Sequence, residues 1–170
     1  MDKENDKLTA DSDAGLKAKL IRAALDARAN AYAPYSGFKV GAAVLASSGR
    51  IYKGANVENA SYPCGICAER NAISQAISEG EQSIKAVALA GAPAESVNNA
   101  VSEESPVTEE SSVSSSEYCP PCGICRQFMR EFADSAELQI ISAKSEDDYM
   151  QWTLEELLPQ SFGPDSLLSL

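Results

Sequence analysis

The chain is organised around two short stretches, Cys67-Ala68-Glu69-Arg70 and Pro121-Cys122-Gly123-Ile124-Cys125-Arg126-Gln127, which lie far apart in the sequence. Each opens a segment whose apolar residues recur at about the helical period. These residues are Ala68, Ala72, Ile73, Ala76 and Ile77 after the first stretch, and Phe128, Met129, Phe132 and Ala133 after the second. Both cysteine groups are therefore predicted to lie at helix N-termini, where free backbone N–H groups and the helix dipole stabilise thiolates, the form that binds metal.

The spacing of these cysteines predicts a metal site. Cys122 and Cys125 are three residues apart, so they would share one helix face. If Cys67 arrives from the other helix, three sulfurs can converge on one Zn²⁺. Three protein ligands leave the fourth zinc position for water, which is the catalytic arrangement. Glu69, two residues after Cys67, is the carboxylate placed to hold that water.

Spacing alone leaves a second interpretation open. Cys64 and Cys67, together with Cys122 and Cys125, form a CxxC…CxxC pattern that is typical of a closed structural zinc site with four sulfurs. A redox CxxC pair would not require two such pairs. Cys119, the fifth cysteine, is interpreted as a spare thiol near the loop. The two zinc interpretations differ in whether Cys64 is a ligand and whether Glu69 is needed.

The two stretches, with a third one upstream, resemble a known family. Cys67-Ala68-Glu69 and the segment 121–127 are similar to the zinc signature of the cytidine deaminases, in its three-cysteine variant. Asn56-Val57-Glu58-Asn59-Ala60 resembles the nucleoside-binding motif of that family. The motifs occur in the family's order, and the resemblance covers about residues 15–92 and 119–168.

This resemblance implies a role for individual residues. One Zn²⁺ per chain would be bound by Cys67, Cys122 and Cys125, and Glu69 would be the catalytic acid and base. The implied substrate contacts are Phe38 near the base, Asn56 and Glu58 at the ribose, the backbone N–H of Ala68 at the base carbonyl, and Phe162 from a neighbouring subunit.

The implied reaction is the zinc-dependent hydrolytic deamination of cytidine and deoxycytidine to uridine and deoxyuridine plus ammonia, in pyrimidine salvage. Zinc would activate a water for attack on C4 of the base, and Glu69 would move the protons. A deaminase of another base or of a nucleoside antibiotic is the alternative within the superfamily. A structural four-cysteine zinc module is the alternative from a different class.

Two arginines lie next to predicted site residues. Three thiolates with Zn²⁺ carry a net charge of −1, which makes the metal a weaker Lewis acid, so a compensating positive group is expected. Arg70 beside Glu69 and Arg126 beside Cys125 are predicted to donate hydrogen bonds to the sulfurs. The alternative for both arginines is a surface salt bridge.

Two further features bear on the substrate and on assembly. A carboxylate at the sugar, Glu58, would repel a nearby 5′-phosphate, and the chain has no Gly-rich phosphate cradle, so nucleosides are predicted over nucleotides. The segment 157–164 resembles the closing segment of the homotetrameric deaminases. That resemblance implies a homotetramer whose active sites are completed across subunits by Phe162.

Composition sets the class of protein. With 170 residues, one domain is expected, and a net charge of −11 argues against a nucleic-acid partner. Five cysteines in metal-ligand spacing favour a reducing compartment. No apolar run approaches a membrane span and no signal peptide is evident, so a cytoplasmic protein with a small-molecule nucleoside substrate is expected. The chain has no histidine, so acid–base chemistry must fall to a carboxylate.

Periodicity predicts an α/β fold. Residues 1–14 are expected to be a flexible tail and 15–168 a single catalytic domain, interrupted at about 93–118 by a disordered Ser/Glu-rich insertion. The predicted elements are a helix at 15–33, a hairpin of strands at 38–45 and 51–56, a helix at 67–79, a strand at 84–90, a second cysteine-bearing helix, a strand at 138–143, an edge strand at 149–153 and a short helix at 154–158. They give a three-layer α-β-α arrangement around a mixed five-stranded sheet.

Overall fold

The computed structural model describes residues 3–94 and 118–168 of the chain. The predicted insertion therefore lies outside the described residues, apart from its two ends. In chain order the elements are helix α1 (Lys3–Arg28), strand β1 (Phe38–Ala46), strand β2 (Ile51–Ala55), a 3₁₀ turn (Tyr62–Cys64), helix α2 (Ala68–Ser78), strand β3 (Ile84–Pro93), helix α3 (Gly123–Arg130), strand β4 (Gln139–Ala143), strand β5 (Tyr149–Thr153), helix α4 (Leu154–Leu157) and helix α5 (Asp165–Leu168).

The five strands form one mixed sheet in the order β2-β1-β3-β4-β5. β1 pairs antiparallel with β2 and with β3, β3 pairs parallel with β4, and β4 pairs antiparallel with β5. The cysteine-bearing helix α3 lies between β3 and β4 in the chain. A strand, a helix and a strand in this order predict a crossover connection with parallel pairing, and β3 and β4 are parallel. The mixed five-stranded sheet and the antiparallel hairpin are thus confirmed.

Successive side chains of β1 point to opposite faces of the sheet, so they belong to two separate cores. Ala43 and Leu45 pack with Leu20, Ile21 and Ala24 of α1 on one face of the sheet. The other face packs against α2 and α3, and its buried members include Ala42, Val44, Val87, Leu89, Ala72, Ile73, Cys125 and Met129. The three-layer arrangement follows from these two cores.

Helix α1 differs from its prediction at both ends. It begins at Lys3, whereas residues 1–14 are predicted to be a tail, because that segment has no apolar periodicity to indicate a helix. It ends at Arg28 rather than near Ala33. Beyond Arg28 the chain turns, and the backbone of Tyr32 bonds to Asn56 and Glu58 (N···O 3.0 and 2.8 Å). These hydrogen bonds to the segment just after β2 require an extended backbone at Tyr32, so the helix cannot continue through this residue.

Helix α2 lies directly on the hairpin, which fixes the place of Cys67 and Glu69. A Cβ on Gly54 of β2 would lie 2.4 Å from the backbone N of Ala72, so only glycine permits this approach. Asn71 Nδ2 donates to the carbonyl of Ala55 (3.1 Å) and holds the same two elements together. Gly80, with φ of +93°, follows the end of α2 and takes the left-handed conformation that favours glycine there.

Within the described residues, none of the helices has the length and apolar character needed to cross a membrane.

Candidate metal centre and substrate pocket

Two helix N-termini bring three cysteine sulfurs together. Cys67 is the N-cap of α2, Cys122 is the N-cap of α3, and Cys125 lies three residues further along α3. The Sγ of Cys122 lies 3.5 Å from that of Cys125 and 4.0 Å from that of Cys67. All three sulfurs lie within 4.8 Å of one another. The sulfurs predicted to converge from two helices do so in the structure.

The donor set and its spacing fit zinc. With Zn–S bonds of about 2.3 Å and tetrahedral angles, two sulfurs on one ion lie about 3.8 Å apart. The separations of Cys122 Sγ from the other two sulfurs, 3.5 and 4.0 Å, bracket that value. Cys125 is fully buried, whereas Cys122 is exposed and Cys67 is half-buried. An ion held by the three sulfurs would therefore be anchored in the core and would face solvent on one side.

The thiols of Cys67 and Cys125 differ in how readily they lose a proton. A hydrogen bond with Cys125, supported by Arg70 and Cys122, lowers the pKa of Cys67 to about 5. The pKa of Cys125 is raised, mainly by that same hydrogen bond and by burial. Because metal ligands must be thiolates, metal binding displaces the remaining protons.

Glu69 lies beside this group in the first turn of α2. Its side chain is only 4 % exposed, and burial raises its pKa above the ordinary value, with the negative charge of Cys67 adding to the effect. A buried carboxyl with a raised pKa accepts and returns protons more readily at neutral pH than an exposed one. This is the property that the predicted acid–base role requires.

The two arginines differ in what they contact. Arg70 Nη2 lies 3.9 Å from the Sγ of Cys67 and 3.4 Å from the carbonyl of Gly65, so it reaches the sulfur group as predicted. Arg126 instead donates from Nε to the carbonyl of Pro121 (2.7 Å) and from Nη1 to that of Leu157 (2.8 Å). Among the described residues, Arg126 thus makes neither the predicted sulfur contact nor a salt bridge. It holds the chain just before Cys122.

The remaining two cysteines lie outside the sulfur group. Cys64 is exposed at the end of the 3₁₀ turn, and among the described residues the group that could hold a metal contains only Cys67, Cys122 and Cys125. Burial, with the nearby charge of Glu69, raises the pKa of Cys119 to about 11, so Cys119 remains a neutral thiol. The described geometry therefore matches the open three-sulfur interpretation and not the closed four-sulfur one.

A pocket of about 340 Å³ opens over these groups. It is of the size that holds a small molecule. Of the predicted site residues, it is lined by Asn56, Glu58, Cys67, Glu69, Arg70 and Cys122. Further wall residues are Val40, Val57, Asn59, Tyr62, Gly65, Ile66, Cys119 and Pro120.

Asn56 and Glu58 are held in place by backbone groups. Asn56 Oδ1 accepts from the N–H of Val40 (2.8 Å), and its Nδ2 donates to the carbonyl of Phe38 (3.0 Å). Glu58 Oε2 accepts from the N–H groups of Tyr35 and Ser36 (2.9 and 3.2 Å). Hydrogen bonds from the Ser36 side chain and these N–H groups lower the pKa of Glu58, which keeps it ionised. An anionic acceptor therefore lies in the pocket wall.

Three predicted contacts lie outside that wall. Ala68 is the first residue of α2, so its N–H is one of those that no intrahelical carbonyl satisfies. The Phe38 ring instead lies against Gly91, where a Cβ would be 2.6 Å from it, and Val40 takes the wall position on the same face of β1. This placement does not support the contact with the nucleoside base that is predicted for Phe38. Phe162 is 60 % exposed and does not line the pocket of its own chain.

Sequence reasoning did not identify several wall residues. Val57 and Asn59 belong to the nucleoside-binding motif at 56–60, and Tyr62 and Ile66 lie just before Cys67. Their proximity in the chain to predicted site residues is a usable signal. Cys119 carries the same signal, since it lies three residues before Cys122, but it was interpreted as a spare thiol.

The comparisons with known proteins agree with this geometry. The model of the cytidine and deoxycytidylate deaminase zinc-binding region matches residues 16–140, which is most of the chain and includes all three sulfurs. The chain belongs to the cytidine and deoxycytidylate deaminase family. Membership in this deaminase family confirms the predicted class, a zinc-dependent hydrolytic deaminase, and its zinc cofactor, for which Cys67, Cys122 and Cys125 form the described metal group.

Named deaminases resemble the chain over nearly its whole length. A cytidine deaminase of Halalkalibacterium halodurans is 37 % identical over 148 residues, covering 87 % of this chain and 95 % of the relative. A probable cytidine deaminase of Dictyostelium discoideum is 35 % identical over 151 residues, covering 89 % and 86 % respectively.

A solved structure supports the same family at the level of the fold. The cytidine deaminase of Burkholderia pseudomallei superposes with a TM-score of 0.67 at 35 % identity, covering 85 % of this chain and 97 % of that one. The three-layer deaminase fold predicted from the sequence is thus confirmed.

Proposed function

We propose that this protein deaminates cytidine and deoxycytidine to uridine and deoxyuridine with release of ammonia. The observation that carries the proposal is the buried carboxyl of Glu69 beside three converging thiols, at a pocket that Asn56 and Glu58 also line. The names of the relatives support cytidine as the substrate.

The residues of this chain would divide the chemistry between them. Zinc held by the three thiolates would supply a Lewis acid that makes water ionisable near neutral pH. Glu69 accepts one proton of the attacking water and delivers it to ring N3, then accepts the remaining hydroxyl proton at C4 and delivers it to the amino group, which leaves as ammonia. Its raised pKa supports this double role, because one carboxyl must both take and give a proton within a turnover. Arg70, near the Sγ of Cys67, offsets part of the thiolate charge.

The substrate contacts follow from the donors and acceptors that the pocket provides. An amide has two N–H donors and two acceptor lone pairs, and the two bonds of Asn56 to β1 use half of them. Asn56 can therefore still bind a ribose hydroxyl, and ionised Glu58 accepts from a second one. The N–H of Ala68 would donate to the base carbonyl.

The pocket favours nucleosides over nucleotides. Glu58 is held ionised in the wall, and Arg70, which lies beside Cys67, is the lone cationic side chain among the wall residues. A 5′-phosphate near the sugar site would be repelled. Cytidine should be turned over far faster than CMP, and equal turnover of the two would contradict this part of the proposal.

The wider setting of the activity is also a proposal. We place it in pyrimidine salvage in the cytoplasm, in a homotetramer in which Phe162 of one subunit enters the pocket of the next. The exposure of the Phe162 ring and its absence from its own chain's pocket support the subunit contact.

The test is the loss of cytidine absorbance on incubation with the purified protein, with and without a zinc chelator. We expect activity that the chelator abolishes. Glu69→Gln should retain zinc while kcat falls about 10²- to 10⁴-fold, because a general acid–base is removed. Glu79→Gln is the matched control: Glu79 follows the same helix at its other end and should leave the rate unchanged. A near-native rate for Glu69→Gln would remove Glu69 from the mechanism.

A substrate panel separates the remaining alternatives. Deamination of another base or of a nucleoside antibiotic in place of cytidine would favour the superfamily alternative. A protein that binds zinc but deaminates nothing would favour the structural zinc module.

A further inference from the structure

The segment 118–121 forms a wall of the pocket without belonging to any helix or strand. Its residues Cys119 and Pro120 line the pocket, and Cys122 of the sulfur group follows directly. The regular hydrogen bonds of secondary structure therefore do not fix this wall. Its position depends on side chains that reach it from other elements.

Ser142 is the first of these side chains. It lies in β4, is fully buried, and its Oγ accepts from the backbone N–H of Cys119 (2.7 Å). The Cβ of Cys119 also packs closely over β3, because it lies 3.0 Å from where a Cβ on Gly91 would be. The backbone of the wall is thus bound directly to the sheet.

Tyr118 holds the same segment one residue earlier. Its hydroxyl donates to the carboxylate of Asp148, and Lys144 Nζ lies 4.3 Å from the centre of its ring. Asp148 is itself fixed in the turn between β4 and β5, because its carbonyl accepts from Lys144 (2.8 Å) and its N–H donates to Ser145 Oγ (3.1 Å). The carboxylate therefore offers Tyr118 a rigid attachment point.

The far end of the segment is attached independently. The carbonyl of Pro121 accepts from Arg126 Nε (2.7 Å), which holds the approach to Cys122 on α3. Because Pro120 and Pro121 have fixed φ angles, a shift at Tyr118 or Cys119 is transmitted to Pro120 rather than absorbed by it. Loosening the near end should move the pocket wall and leave the sulfur group in place.

We propose that Tyr118, Asp148 and Ser142 are positioning residues that hold the Cys119–Pro120 wall against the bound nucleoside. The inference rests on the proposed deamination of cytidine. We expect Cys119 and Pro120 to contact the bound nucleoside, whereas the proton transfers are carried by Glu69 on α2. The positioning residues therefore act on substrate binding, which sets KM, and leave kcat unchanged.

The test is steady-state deamination of cytidine by Tyr118→Phe and Ser142→Ala, with zinc content measured on the same samples. Each variant should raise KM about tenfold, the order expected for one lost hydrogen bond, with kcat within about twofold of the unmodified protein and zinc retained. Tyr149→Phe is the matched control. It removes the same atom from a tyrosine that also lies near a lysine (Lys17 Nζ, 5.3 Å from the ring centre) but does not line the pocket.

A graded series at Asp148 makes the test sharper. Asp148→Asn keeps an oxygen that accepts from Tyr118 and should raise KM less than Asp148→Ala does. A native KM in both Tyr118→Phe and Ser142→Ala would overturn the inference. A parallel fall in kcat and zinc content would also overturn it, because that pattern indicates general loss of structure. If the unmodified protein does not deaminate cytidine, the proposed function itself fails, which is a separate result.

Discussion

The backbone around each cysteine decides whether it can bind metal here. Cys64 and Cys67 have the spacing of a ligand pair, yet Cys64 ends a 3₁₀ turn and Cys67 caps α2. Between them the chain is extended, and Ile66 exchanges backbone hydrogen bonds with Val57 in both directions (3.0 Å each). The two thiols therefore do not share a helix face as Cys122 and Cys125 do. Spacing alone cannot distinguish these cases.

Serine substitutions test this difference between neighbouring cysteines. Cys64→Ser should retain a full zinc complement and full activity, because Cys64 lies outside the sulfur group. Cys67→Ser should lose zinc and activity together, because two thiolates remain. Metal analysis of the purified variants, with a cytidine assay of each, gives the comparison. Zinc lost from Cys64→Ser would restore the four-sulfur interpretation.

The site could be predicted from sequence where chain neighbours determine the chemistry. The thiols, Glu69 and Arg70 follow from two helix starts, since a helix fixes which residues share its first turn. The directions of long or ring side chains could not be predicted, because distant elements determine them. The guanidinium of Arg126 binds the carbonyls of Pro121 and Leu157 rather than sulfur, and the ring of Phe38 lies over Gly91 rather than in the pocket.

At the scale of elements, Glu81 ties the end of α2 to the β1–β2 hairpin. Its side chain is 8 % exposed and Oε1 accepts from Ser48 Oγ (2.6 Å), Arg50 Nε (2.9 Å) and Tyr52 OH (3.0 Å). Hydrogen bonds from Ser48, Tyr52 and Arg50 lower the pKa of Glu81 below its ordinary value of 4.5. The folded state therefore favours the ionised carboxylate.

This lowered pKa predicts a pH-dependent contribution to stability. A carboxyl whose pKa is lower in the folded than in the unfolded state stabilises the fold above the unfolded pKa and loses that effect as pH falls through the folded pKa. Glu81→Gln should therefore lower Tm at pH 7, and its difference from the unmodified protein should shrink below about pH 4.5. Thermal unfolding followed by circular dichroism across this range measures it. A difference that is independent of pH would assign the effect to packing alone.

The contact of α1 with β1 gives a second test at this scale. A Cβ on Gly41 would lie 2.1 Å from the carbonyl oxygen of Ala24 and 2.3 Å from the backbone N of Arg28, so the helix backbone would have to move. Gly41→Ala should lower the free energy of unfolding by about 3 kcal/mol. Gly15→Ala, also tested by urea unfolding, is the control. Apart from its chain neighbours and the adjacent backbone of α1, no atom of the described residues lies within 4 Å of its Cβ position, so it should be neutral or stabilise by up to about 1 kcal/mol.

The order of the elements was more predictable than their ends. Alternation located β1, the turn that follows it located β2 as the second strand of a hairpin, and short apolar runs located β3 and β4, because strands buried on both faces need continuous apolar sequence. The start of α1 was missed, since residues 3–14 carry no apolar stripe, and the strand β3 runs on to Pro93, where Phe38 pairs with it. Such ends are determined by pairing with a neighbour, which local periodicity does not show.

At the scale of the whole molecule, apolar side chains remain exposed on the described part of the chain, and two groups of them bear on assembly. One surrounds the pocket mouth, where Tyr62 is 75 % and Val57 41 % exposed. The other includes Phe162, whose backbone carbonyl is held on α3 by Gln127 Nε2 (2.9 Å). The Phe162 ring is thus presented outward from an ordered backbone. A second copy of the chain is the partner that the proposed tetramer would supply.

Subunit mixing tests whether Phe162 acts across that contact. Glu69→Gln lacks the acid–base group but keeps its ring, and Phe162→Ala lacks the ring but keeps Glu69, so each variant alone should be nearly inactive. If one neighbour supplies the ring, half of the chains in a co-refolded equal mixture keep Glu69, and half of those meet an intact Phe162. Activity should then recover to about a quarter of the unmodified value. The matched control mixes Phe162→Ala with the Glu69→Gln, Phe162→Ala double variant, which supplies no ring and should restore nothing. If Phe162 served its own chain, every site in the first mixture would carry one defect, and no recovery would occur.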